Sequence, residues 1–157
     1  MIDPDDYLYF AHRALDGMAS IVVELGDDLA NRRPLPDANS PYALLHHCLA
    51  VVDAWAGGFV AGRAFERDRA AEFQAAGDVV SLVRRVETTK AALTADVHGA
   101  RHDAPLRSRP PAEYQGPARP LTQGGALQHV YEELAQHHGQ MEVLRDVLLA
   151  QAGAAAS

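Results

Sequence analysis

Apolar residues recur along the chain at helical spacing, and breakers cut the pattern into four long segments. Asp3-Pro4 is a helix start, an N-cap followed by a proline at the first helical position. From there Leu8, Ala11, Leu15, Met18, Ile21/Val22 and Leu25 mark one face, ending near Asn31 before Pro34 and Pro36. Ser40-Pro41 repeats the start signal. Leu44, His47/Cys48, Val51, Trp55 and Phe59 then form a second stripe, which Gly57-Gly58 weakens and Gly62 ends. Gly77-Asp78 opens a third, carried by Val79, Leu82/Val83, Val86, Lys90 and Leu93 and stopped at His98-Gly99. Thr122 caps a fourth that runs to about Ala150 through Leu127, Val130, Leu134, His137, Met141, Leu144 and Leu148. Its alternating spacings of three and four are those of a bundle seam. Beta-branched alternating runs are absent, so the pattern predicts an all-α protein, a four-helix bundle.

The connections differ in character. Residues 63–76 are charged and alanine-rich, a connector with room for a helical turn or two. Residues 100–121 hold five prolines and no apolar periodicity. Loops that long inside a domain are usually functional or disordered. The 157 residues suit a single domain spanning 1–157 with that loop inside it.

Composition narrows the function. Lys+Arg is 14 against Asp+Glu 21, a formal net charge of -7. Gripping a phosphate backbone requires the opposite balance, so nucleic acid and anionic membrane are not expected partners. Aromatic content of 6% argues against base-stacking platforms. The lone Cys48 rules out an internal disulfide framework and a Cys-rich zinc site. No uninterrupted apolar run reaches the ~20 residues of a membrane span. The N-terminus is acidic where a signal peptide is basic and then apolar. The expectation is a soluble cytoplasmic protein acting on a small molecule.

Polar interruptions of the seam locate the chemistry. His137 occupies the middle of an otherwise apolar stripe, and burying an imidazole costs free energy unless its nitrogens find partners. Glu133 lies four residues earlier, ~40° round the helix and ~6 Å along it. His47 interrupts the second stripe in the same way. Facing stripes meet in a bundle, which places His47 within reach of Glu133 and His137. Two imidazoles and a carboxylate are ligand types for a divalent transition metal, and three ligands leave coordination positions open. The spacing is equally that of an ordinary i, i+4 pair on a wetted face, with His47 a core histidine bonded to a carbonyl. His46 and His138 are turned ~100° from the proposed ligands, toward another helix or water; His129 is ~80° off His137. His12, His98 and His102 read as surface or loop residues. Cys48 reads as a small buried hydrophobe. Arg101, Arg107, Arg109 and Arg119 of the long loop either greet an anionic substrate or face water.

The segments NSPYALLHHCLAVVDAWAGGFVAGR and LQHVYEELAQHHGQMEVLRDVLLA resemble the second and last helices of the DinB-like superfamily. The first shows a histidine between an apolar stretch and a tryptophan. The second shows a histidine shortly before a Gly-Gln pair, Gly139-Gln140. The segment DYLYFAHRALDGMASIVVELGDDLANRRP fits the family's first helix. The resemblance implies a metal held by His47, Glu133 and His137. Glutamate at 133 resembles the branch that includes mini-circle proteins and the metal-binding domain of mycothiol-dependent maleylpyruvate isomerase. It implies a divalent metal, zinc first and nickel, iron or manganese as alternatives, and a low-molecular-weight thiol such as mycothiol, bacillithiol or glutathione. The activity implied is a metal-dependent thiol S-transferase, with Tyr131 or His138 as an orienter or proton carrier. A metal-dependent hydrolase and a non-catalytic metal- or ligand-binding bundle, associating as a homodimer, are the alternatives.

Overall fold

The first long helix, α1 (Pro4–Ala30), begins where the sequence places it. Asp3 caps it by accepting from the Asp5 amide at 2.8 Å, with Asp5 and Asp6 in the first turn facing the positive helix end. Gly26 takes φ 64 and kinks the last turn, a left-handed conformation that glycine adopts without Cβ strain. Past the kink, Asp27 accepts from the Val79 amide at 2.8 Å and Asn31 bonds both ways with the Gly77 backbone. The end of α1 thus ties down the start of α4 (Val79–Gly99).

The second helix, α2 (Pro41–Val52), is capped by Ser40 and buried on nearly every side. It does not fade at Gly57-Gly58. It continues as a π-helical segment, Asp53–Ala61, ending at left-handed Gly62. The glycines have a packing reason: a methyl at Gly57 would collide with the Arg63 guanidinium, and one at Gly58 with the Phe65 ring. The combined run Pro41–Ala61, 21 residues with an 18-residue window of mean hydropathy 1.4, is long and apolar enough to cross a membrane. Counting uninterrupted apolar residues passes over it, because His46, His47 and Asp53 break the run. Of that window 89% is buried inside the bundle, and core packing accounts for its composition.

A one-turn helix, α3 (Arg69–Glu72), forms in the connector, with Asp68 capping it through the Ala70 and Ala71 amides. The last helix, α5 (Gln123–Ala155), runs several residues beyond the expected end. Its alanine-rich tail has high helix propensity, and Gln151 bonds the Pro34 carbonyl at 3.2 Å. The computed structural model describes residues 2–114 and 116–155.

Four long helices and one short one make the bundle, with no strand among the described residues beyond an isolated Pro105–Thr122 bridge. α1 packs on α4 and α5, and α2 with its π extension packs on the same two helices from the other side. Leu15, Met18, Leu44, Leu45, Leu93, Leu134, Met141 and Leu148 fill the shared core. The 100–121 loop is anchored at both ends. Gln123 bonds Arg101 and Pro105, while the Arg107 backbone amide and Nε donate to the carbonyls of Phe59 and Val60. Gln115, within this loop, lies outside the described residues.

Cys48 lies wholly inside the core, and burial pushes its thiol well up. A thiolate is the reactive form, so Cys48 should be inert. We expect no reaction with 5,5′-dithiobis(2-nitrobenzoate) in the native protein over minutes and one equivalent released in denaturant. Prompt labelling of the folded chain would show the core to be open there.

Candidate metal centre

His47, Glu133 and His137 come together. One ligand atom from each lies within 4.8 Å of the others. His47 Nε2 is 3.3 Å from Glu133 Oε2, and His137 Nε2 is 3.4 Å from the same oxygen. The two imidazoles meet edge-on, with centroids 5.2 Å apart. α2 supplies the first ligand from its fully packed middle. α5 supplies the other two from adjacent turns of one face. His47 is buried, with its side chain 3% exposed, while Glu133 and His137 are 25% and 20% exposed. The cluster therefore has a dry inner wall and one side that opens to solvent.

The far nitrogens set the chemistry of the near ones. His47 Nδ1 lies 2.7 Å from Glu72 Oε2, and His137 Nδ1 lies 2.9 Å from Gln140 Oε1. An imidazole that donates from Nδ1 to an oxygen presents a lone pair at Nε2. Both Nε2 atoms then aim lone pairs at a carboxylate. Such a set is repulsive until a positive charge occupies it, either protons on the rings or a cation between them. This is the arrangement in which metal-binding histidines are held, each with an outer acceptor fixing its tautomer.

Electrostatics around the cluster agree. Hydrogen bonds with His137 and His47 outweigh the burial of Glu133 and hold its carboxyl well below the usual range. Burial works against a charged His47, but its bonds to Glu133 and Glu72 outweigh it and push the ring up. Glu72 is likewise disfavoured as an anion by burial, yet His47 and Arg67 together hold it below its ordinary value.

Glu72 and Arg67 are the residues that the sequence reading missed. Both lie in the connector 63–76, which reads as a charged linker. Glu72 is 4% exposed and the Arg67 side chain 2%. The guanidinium grips the carboxylate with Nε at 2.7 Å and Nη2 at 3.1 Å, a bidentate pair. Phe73 stacks on the His47 ring at 4.6 Å, and Arg67 lies over the Tyr114 ring at 4.7 Å. The available signal was Phe65 and Phe73 at either end of the charged stretch, since aromatic residues there imply packing against the bundle.

The other histidines separate from the site. His46 faces α4, where Arg85 Nη1 lies 3.3 Å away, and His138 covers Gly17 on α1. His98 bridges Asp5 and the Thr94 carbonyl at the surface. His129 is nearer than its register suggests. It is buried, packs edge-on against Trp55 at 4.6 Å, and brings Nε2 to 3.9 Å from Glu133 Oε1. Tyr131 packs toward Phe10 of α1, and His138 approaches Glu142. The orienting contacts to the ligands come instead from Glu72 and Gln140.

The molecule is thus a helical bundle carrying two histidines and a carboxylate at one open-sided cluster. The family model for mycothiol-S-transferases matches residues 7–149, and the chain belongs to that family, a member of the DinB-like superfamily. A solved structure with the same fold is that of a conserved protein of a locus from Enterococcus faecalis. It has a TM-score of 0.70 and 13% identity, covering 96% of this chain and 99% of that one. At that identity the likeness speaks to the fold alone. No curated protein matches the chain by sequence.

Proposed function

We propose that the chain binds one divalent cation on His47, Glu133 and His137 and catalyses transfer of a low-molecular-weight thiol, mycothiol first among candidates. The observation that carries this reading is the convergence of two Nε2 atoms and a carboxylate at the solvent-open edge of the bundle. Membership of the mycothiol-S-transferase family supplies the thiol. Zinc suits the donor set, since two imidazoles and a carboxylate leave a fourth position for an exogenous ligand, and thiolate is a soft one. A bound cation of this kind lowers the pKa of a thiol and steadies the thiolate.

The protein's own residues do the rest. Glu72 and Gln140 hold the two rings in one orientation. Phe73 covers the inner face of His47 and keeps water from it. The open side at Glu133 and His137 admits the thiol. In the overall reaction, thiol RS–H and electrophile R′–X give RS–R′ and H–X. The S–C bond forms as the C–X bond breaks, X leaves with the bonding pair, and the thiol proton is released.

The test measures thioether formation from 1-chloro-2,4-dinitrobenzene with mycothiol, bacillithiol and glutathione in turn. One thiol should react faster than its uncatalysed background, and a chelator or His137→Ala should remove the excess. Turnover of an ester without thiol, and no thioether excess with any thiol, would instead favour the hydrolase.

A further inference from the structure

Between Trp55 and the long loop lies a cavity of about 880 Å³, within the upper range of small-molecule sites. Trp55 forms one wall and the long loop forms the rest. Two features of its lining are informative. Arg107, Arg109 and Arg119 all line it, and no aspartate or glutamate does, in a chain whose net charge is -7. None of the three makes an ion pair among the described residues, whereas Arg63, Arg67, Arg85 and Arg145 each hold a carboxylate. Apart from Ser108, the remaining lining is apolar or glycine, from Leu106, Leu121 and several prolines among others.

Arg107 is held in place rather than waving in solvent. Its backbone amide donates to the Phe59 carbonyl at 2.8 Å and its Nε to the Val60 carbonyl at 3.0 Å. Its stem lies against Gly62, where a Cβ would meet the Arg107 Cδ at 2.7 Å. The two terminal amino groups of the guanidinium have no acceptor among the described residues. A fork positioned this way matches a carboxylate. Trp55 links the cavity to the cluster, because its ring also packs on His129, which approaches Glu133.

We propose that this cavity binds an apolar carboxylate and is the acceptor subsite, so that the electrophile taken by the enzyme is an anion with an aromatic or aliphatic body. The assignment of the anion as acceptor rests on the thiol-transfer reading; the binding of the anion does not. Mycothiol chemistry at the metal asks for a thiolate there, whereas three guanidiniums lining a cavity that reaches the cluster through Trp55 and His129 ask for a second, carboxylated molecule.

The experiment compares 4-(trifluoromethyl)benzoate with its neutral isostere 4-(trifluoromethyl)benzamide, titrated into the full chain and followed by fluorine NMR. Emission of Trp55, the single tryptophan, reports the location. Benzoate should bind at least about tenfold tighter than benzamide, weaken with salt and shift the Trp55 signal. Arg109 and Arg119 are exposed and bond no carboxylate, so the double variant Arg109→Gln/Arg119→Gln should fold normally, with an unchanged melting midpoint. It should lose about tenfold in benzoate affinity and none for benzamide. His137→Ala should bind benzoate as the unaltered protein does, which keeps this result independent of metal and thiol. Equal binding of acid and amide, an unaffected double variant, or loss of benzoate in His137→Ala would each overturn the proposal. A thiol-transfer failure would appear elsewhere, as absence of thioether with every thiol.

Discussion

Replacing His47 or His137 with alanine should take the protein from about one divalent ion per chain to none after dialysis at neutral pH. Changing only the outer partner of a metal ligand costs 10–100-fold in affinity, so removing a ligand itself should cost at least about that. Glu133→Gln should behave likewise, because it removes the negative charge on which both Nε2 atoms converge. His12→Ala and His102→Ala should keep full occupancy. Elemental analysis of protein purified without a histidine tag reads the outcome, with circular dichroism as the folding control. Retention by all the variants would refute the site, and loss on His129→Ala with retention on His137→Ala would shift it one turn or more. The pH dependence has a definite sign. Glu133 stays ionised over the working range, so the imidazoles govern release. The metal-free His47 is pushed above its ordinary 6.5, and a proton therefore competes with metal there at higher pH than on a free imidazole. Occupancy should fall as pH drops. The contribution of protonated His47 to the stability of the metal-free fold runs the other way: it is complete below 6.5 and fades as pH rises through the raised value.

Glu72→Gln should be nearly as damaging, although Glu72 touches no metal. It leaves the Arg67 guanidinium, whose side chain is 2% exposed, without its counter-charge. Removing one partner of a buried ion pair typically costs about 3–5 kcal/mol, measurable by urea unfolding. Metal affinity should also drop about 10–100-fold, because His47 Nδ1 loses its charged acceptor and must compete with Arg67 for the one neutral oxygen that remains. The double variant Arg67→Met/Glu72→Leu separates the two effects. Replacing both charges with apolar groups should restore most of the stability while metal affinity stays low. Recovery of metal affinity along with stability would show that Glu72 serves only the fold.

Much of this was legible in the amino-acid order. Asp3-Pro4, Ser40-Pro41 and Gly77-Asp78 are cap signals whose hydrogen bonds form locally, and each helix starts there. The cluster was legible because His47 and His137 are polar residues on stripes that have to meet. The π-helical stretch after Val52 was not: its two glycines read as helix weakeners, and only the fold shows Arg63 and Phe65, from later in the chain, packed against them. Glu72 was hidden for a related reason. A glutamate in an alanine-rich, charged connector looks solvated, and only the fold of residues 63–76 back across α2 puts it 2.7 Å from His47. Gln140 could be seen in the Gly-Gln pair, but its bond to His137 is a matter of rotamer.

Cobalt substitution tests thiol coordination at His47, Glu133 and His137 most directly. Sulfur bound to cobalt(II) adds an intense charge-transfer band in the near ultraviolet, and the cobalt protein without added thiol supplies the baseline that carries any contribution from Cys48. Mycothiol titrated into the cobalt-loaded protein should raise this band saturably toward one equivalent, and His137→Ala should show none. Full cobalt occupancy with no band from mycothiol, bacillithiol or glutathione would contradict thiol transfer at this metal.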